Sequence, residues 1–108
     1  MQADLRQSIE AELKNAERAR LSGNEGRARV CARRAAGIAA RDFLTRQGVQ
    51  ARTGSAYETL KMLAAYPGLP PDLRSAAVNL TTQVTEGFTL PGDIDLIAEA
   101  QNLIGGLG

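Results

Sequence analysis

The chain reads as all-α, an up-and-down antiparallel bundle of about five helices forming a single domain over residues 1–108. Three observations predict this. Apolar residues recur at spacings of three and four along most of the chain, eighteen residues are alanine, and compact turn clusters separate the periodic stretches. A length of 108 residues suits one domain with a real core, and a hydrophobic content of 44% excludes a disordered chain. Aromatics amount to only 4%, namely Phe43, Tyr57, Tyr66 and Phe88, so the helices must approach closely to close a core made largely of small residues.

The first stripe is Leu5, Ile9, Leu13 and Ala16, which predicts a helix over about 3–21 ending at the turn Ser22-Gly23-Asn24. Ser22-x-x-Glu25 has the form of a capping box and opens the second helix at about residue 25. This helix runs to about Arg46, with Ala28, Ala32, Ala35, Ala39 and Phe43 on one face, widened by Cys31, Ala36 and Ile38. Gly48 follows as a left-handed C-cap.

Ser55-x-x-Glu58 is a second capping box, starting a short helix with Ala56, Leu60, Leu63 and Ala64 inward and a stop at Tyr66-Pro67-Gly68. Pro70-Pro71-Asp72 starts the fourth helix, with Leu73, Ala77, Leu80 and Val84 as its stripe. Alternation over 78–90 also fits a half-buried strand; the proline start and the continuous stripe favour helix. A last helix is expected from about Asp93 to the Gly105-Gly106 pair. Ile94, Ile97 and Ala98 lie on one side and Leu96, Ala100, Leu103 and Leu107 on the other. A terminal helix apolar on two sides is either sandwiched in the core or buried against a second subunit, so Leu96, Ala100, Leu103 and Leu107 are a candidate dimer interface.

The net charge of +1 conceals a gradient. Residues 1–17 carry a net −2; residues 18–52 carry nine arginines against Glu25 and Asp42, a net +7; residues 53–108 carry a net −4. Arg27, Arg34 and Arg41 recur every seven residues along the second helix. With Arg46 and Arg52 they form the candidate surface for phosphate or an acidic partner. The competing reading is a solvated face paired with acids of other helices. Against nucleic acid stand the absence of interleaved aromatics and the near-neutral total.

The chain has no histidine and a single cysteine, Cys31, which excludes a Cys/His zinc site and any imidazole-based triad. Cys31 reads as a small buried hydrophobe. Asp42 pairs with a neighbouring arginine, and Asp93, Asp95 and Glu99 suit a helix start rather than a metal. No metal, cofactor or catalytic residue is expected. The N-terminus lacks an apolar leader and no run approaches a membrane span, so the expected location is cytoplasmic with no membrane contact.

Ala28–Leu44, read as Ala-x-x-x-Ala-x-x-Ala-Ala-x-x-Ala-x-x-Asp-Phe-Leu, resembles the second helix of HEPN domains, with Gly23-Asn24 at the family's hairpin turn. Residues 52–60, Arg-Thr-Gly-Ser-Ala-Tyr-Glu-Thr-Leu, are similar to the segment where the family often shows Arg-Thr-His-Asp-Leu. Leu69–Val84 and Asp93–Leu103 are similar to its last two helices. The resemblance implies a homodimeric helical bundle paired with a minimal nucleotidyltransferase in a toxin–antitoxin-like system. Catalytic members are ribonucleases built on Arg-x(4–6)-His. After Arg41-Asp42 this chain reads Thr45, Arg46, Gln47 and Gly48, and Gly54 stands in place of the Thr-His histidine, so proton transfer lacks an agent. The expected function is therefore a non-catalytic HEPN-like module that homodimerises and binds a partner protein. The alternatives are an RNA-binding or RNA-processing protein using the arginines, and a TPR-like scaffold, for which no second repeat exists.

Overall fold

A computed structural model describes residues 2–51, 53–82 and 94–108. These form five helices: α1 (Ala3–Leu21), α2 (Glu25–Arg46), α3 (Ala56–Ala64), α4 (Pro71–Leu80) and α5 (Leu96–Leu107), with no strand among the described residues. The all-α reading holds. Residues 78–80 of the stretch that also fitted a strand are helical, while 83–90, including Val84, lie outside the described residues.

The architecture is organised around α2. It packs against α1, α3 and α5, and α4 closes the other side of the bundle by packing on α3 and α5. Ala28, Cys31, Ala32, Ala35, Ala36, Gly37, Ala39, Ala40 and Leu44 of α2 are all buried. A helix that buries so much of its circumference can do so only with small side chains, which let neighbouring axes draw together. The bulk is supplied from around it: Leu60 and Leu63 of α3, Leu80 of α4, and Leu96 and Leu103 of α5 are fully buried. Each such leucine contributes about 1.5–3 kcal/mol of hydrophobic stabilisation.

The helix ends follow local chemistry. The α1–α2 turn closes with Gly23 at φ 82°, a left-handed conformation that a side chain would strain. The predicted Ser22–Glu25 capping box is not what caps α2. Asn24 is the N-cap, its Oδ1 accepting from the Arg27 amide at 3.1 Å. Ser22 Oγ instead donates back to the Ala19 carbonyl, and the Glu25 carboxylate accepts from Arg20 Nε at 2.8 Å. An asparagine immediately before the helix reaches the orphan amide more directly than a serine two residues further out. At α3 the prediction is half met: Ser55 Oγ accepts from the Glu58 amide at 3.2 Å, but the reciprocal place at the Ser55 amide is taken by Thr53 Oγ1.

The last helix differs from expectation at both ends. Asp95 is its N-cap, with Oδ1 accepting from the amides of Ile97 and Ala98, so the helix begins at Leu96; Asp93 lies outside the described residues. Burial works against the Asp95 carboxylate. The Arg20 guanidinium at 3.0 Å, together with the two amides, outweighs that and holds the group below the usual carboxylate range. The Gly105-Gly106 pair does not stop the helix, which continues to Leu107. A Cβ at Gly106 would overlap the side chain of Leu73, so this glycine lets α5 lie close on α4.

The four candidate dimer residues settle the two-sided character of α5. Leu96, Ala100, Leu103 and Leu107 are buried inside the monomer, where α5 packs between α2 and α4. In this fold they present no surface to a second copy, because the chain's own neighbouring helices already cover them.

Gly37 is the tightest contact of α2. A Cβ there would stand 2.7 Å from Ala56 Cβ and 3.0 Å from Ala56 Cα, so the first turn of α3 would have to shift. Gly37→Ala is therefore expected to destabilise the fold by about 1–3 kcal/mol despite the better helix propensity of alanine. Gly105→Ala, whose Cβ would meet nothing within 4 Å, is expected to gain about 0.5–1 kcal/mol. Urea unfolding of the two variants checks both signs.

Candidate functional site

Helix α2 is buried on most sides, and one line along it stays open. Val30, Arg34, Arg41 and Thr45 recur along this line at helical spacing above the buried Gly37, with Arg33, Ile38 and Asp42 beside them. Leu5 and Glu12 of α1 form one wall; Gly54, Ala56 and Thr59, at the entry to α3, form the other. The result is an open groove of about 670 Å³. Its apolar lining comes from Leu5, Val30, Ile38 and Ala56, with Gly37 allowing the α3 wall to stand directly against α2. Val30 is 43% exposed, one of three large apolar side chains on the described surface that are so open.

The arginines divide into two kinds. The first kind is spent on the fold. Arg41 reaches across the α2–α3 linker: Nη1 donates to the Ala51 carbonyl at 3.2 Å, and Nη2 donates to the Thr53 carbonyl and to Thr59 Oγ1. Thr59 Oγ1 in turn donates to the Ser55 carbonyl at 2.8 Å, so this fully buried hydroxyl is satisfied in both directions. Arg33 closes the C-terminus of α4, with Nε on the Leu80 carbonyl at 2.7 Å and Nη2 on that of Thr82 at 3.2 Å. Burial, aided by the charge of Arg29 and opposed by Tyr57, draws Arg33 below the ordinary arginine value. Arg46 donates to Asp42 at 2.9 Å and to the Leu107 carbonyl at 3.0 Å, fastening the end of α5 to the end of α2. Arg74 performs the same task in the α3–α4 turn, on the carbonyls of Tyr66 and Leu69.

The second kind remains open. Arg27 and Arg34 are exposed, and neither lies within 4.0 Å of a carboxylate among the described residues. Of the five predicted contact residues, the groove thus collects Arg34 and Arg41. Arg27 stands further along the helix, Arg46 is tied to Asp42 and Leu107, and Arg52 lies outside the described residues. Arg41 is a correction to the stripe as read from spacing. Heptad spacing puts it in line with Arg27 and Arg34, but the linker carbonyls lie within its reach and claim its donors.

Two lining residues went unread in the sequence. Arg33, outside the heptad stripe of Arg27, Arg34 and Arg41, also lines the groove while its guanidinium caps α4. Gly37 carried a signal that spacing analysis passed over, since a glycine amid six surrounding alanines marks a close backbone approach. Asp42 behaves as expected: its side chain is 15% exposed and paired with Arg46. Cys31 is buried in the core.

The groove has no cluster of three metal-ligating side chains, and none is found elsewhere among the described residues. No described helix is long and apolar enough to cross a membrane. What the site offers is an apolar floor beside fixed positive charge, a surface suited to reversible contact.

The two kinds of arginine should separate in stability measurements. Arg41→Gln removes three hydrogen bonds that cross the α2–α3 linker and is expected to cost about 1.5–3 kcal/mol in urea unfolding. Arg34→Gln is expected to stay within about 0.5 kcal/mol of the parent. No protein-family model, curated protein or solved structure matches this chain.

Proposed function

We propose that this chain is a non-catalytic helical binding module that receives a partner protein along the open line of α2. The observation that carries the reading is the groove itself: Leu5, Val30, Ile38 and Ala56 form an apolar floor, and Arg34 stands over it with no carboxylate partner among the described residues. A partly exposed apolar strip bordered by charge gains free energy when a complementary surface covers it. The HEPN-like layout of the sequence makes a minimal nucleotidyltransferase the first partner class to try. Homodimerisation remains part of this reading, through a surface other than the buried face of α5.

A second reading, RNA contact, rests on the exposed arginines Arg27 and Arg34. Among the described residues no aromatic lines the groove, which supports the protein partner over it, because single-stranded bases need a ring to stack on.

The test compares the tagged full-length chain with its Ile38→Glu variant after purification from native cells at low and high salt. The expected outcome is a stoichiometric protein retained by the parent at both salt concentrations and lost from the variant. Recovery of RNA alone, released as salt rises, would replace this reading with the second. Identical recoveries from parent and variant would remove the groove from the account.

A further inference from the structure

From the groove's charge and length we infer the chemistry of its occupant: an amphipathic helix of a partner protein, about four turns long, bearing carboxylates on the flank that meets Arg34, beside the fold-bound Arg33 and Arg41. This inference rests on the binding-module reading above and specifies its partner.

The argument begins with how the groove's arginines are satisfied. Arg33 and Arg41 donate to Leu80, Thr82, Ala51 and Thr53 carbonyls and to the Thr59 hydroxyl. Such oxygens take up part of each N–H fork but carry no formal charge, so neither half-buried guanidinium has a carboxylate within 4.0 Å among the described residues. Arg34 adds a third that is exposed to solvent. On the acidic side, Asp42 is already matched by Arg46 at 2.9 Å. Glu12, on the opposite wall, accepts a long hydrogen bond from Asn15 on its own helix. Positive charge is thus concentrated along α2 and its α3 side, held there by bonds that also hold the fold. Fixed, preorganised charge of this kind selects a partner of opposite sign and orients it as it arrives.

The shape and floor identify the occupant as a helix. The lining of α2 runs from Val30 to Thr45, a rise of about 22 Å at 1.5 Å per residue, which matches some 14–15 residues of a second helix. Val30 and Ile38 stand eight residues apart on the same face, with Gly37 and Ala56 making a low floor between them. An entering helix would lay apolar residues at i, i+3 or i+4, and i+7 along this strip. An extended strand would find no unpaired backbone edge here, because α2 spends its own amides and carbonyls within the helix.

The experiment uses a displayed library of helix-forming 15-residue peptides, selected on the full-length parent protein and followed by affinity measurement of the enriched peptides. The expected binders carry an apolar i, i+3/i+4, i+7 face with Asp or Glu on one flank. Their affinity falls about thirtyfold or more on Ile38→Glu and about tenfold on Arg34→Glu. Exchanging the peptide's flanking acids for Lys restores binding to the Arg34→Glu protein, a charge swap that mere loss of folding cannot imitate; circular dichroism of both variants confirms the fold. Binders that are lost on Ile38→Glu but carry no acidic preference would overturn the inference and leave the groove as the binding site. Binders indifferent to both substitutions, or none at all, would overturn the groove reading itself. A single-stranded 12-nucleotide RNA that displaces the selected peptides from the parent but not from Arg34→Glu would assign the groove to nucleic acid instead.

Discussion

The close packing of α2 is the constraint on which the rest of this structure depends. A 22-residue helix runs through the bundle with nine buried positions, eight of them alanine, glycine or cysteine. Such a helix contributes little hydrophobic area of its own. Its value is geometric, because it lets α1, α3 and α5 come close enough for the surrounding leucines to meet. Gly37 is the limit of that logic, a position where even one methyl group would collide with the backbone of α3. Gly106 repeats it between α5 and α4.

Close packing with few large side chains leaves the ends and linkers of short helices to be secured by other means. Here arginine does that work. Arg33, Arg41, Arg46 and Arg74 each donate to backbone carbonyls at a helix end, a linker or a turn. The guanidinium suits this role because it carries five donors in a rigid fork and its long stem crosses the gap between elements while covering apolar surface. Arg20 performs a related task at the other end of the bundle, joining Glu25 at the start of α2 to Asp95 at the start of α5. One consequence reaches into function. Carbonyl partners supply no countercharge, so the clips formed by Arg33 and Arg41 keep positive charge beside the groove along α2.

Much of this fold was legible from periodicity and turn chemistry. The bounds of α1 and α2, the proline start of α4 and the left-handed Gly48 all stand where spacing placed them. The departures share a cause. The Ser22 capping box, the Gly105-Gly106 stop and the place of Arg41 in the arginine stripe each rest on local pattern, and each is overridden by a contact from elsewhere. Asn24 lay closer to the orphan amide, Gly106 was needed against Leu73, and Arg41 found the linker carbonyls. A pattern along one helix shows which residues share a face. It does not show what the tertiary fold brings opposite that face, and glycines and arginines, whose meaning depends most on their neighbours, were accordingly the residues read least well. The candidate groove was half visible: Arg34 and Arg41 were named from spacing, while its floor and the participation of Arg33 required the three-dimensional arrangement of α1, α2 and α3.

If α2 and its arginine clips organise the bundle, the highest stability resides in the middle of α2 and in the start of α3 that Arg41 holds to it. Native-state hydrogen exchange resolved by residue addresses it most directly. The account predicts that amides in the middle of α2, from Ala32 to Ala40, exchange only through global unfolding, and that the first amides of α3 approach that limit in the parent but open early in Arg41→Lys, where the forked donors are lost. Amides of α4 or α5 outlasting those of α2, or an α3 indifferent to the loss of the Arg41 fork, would contradict it.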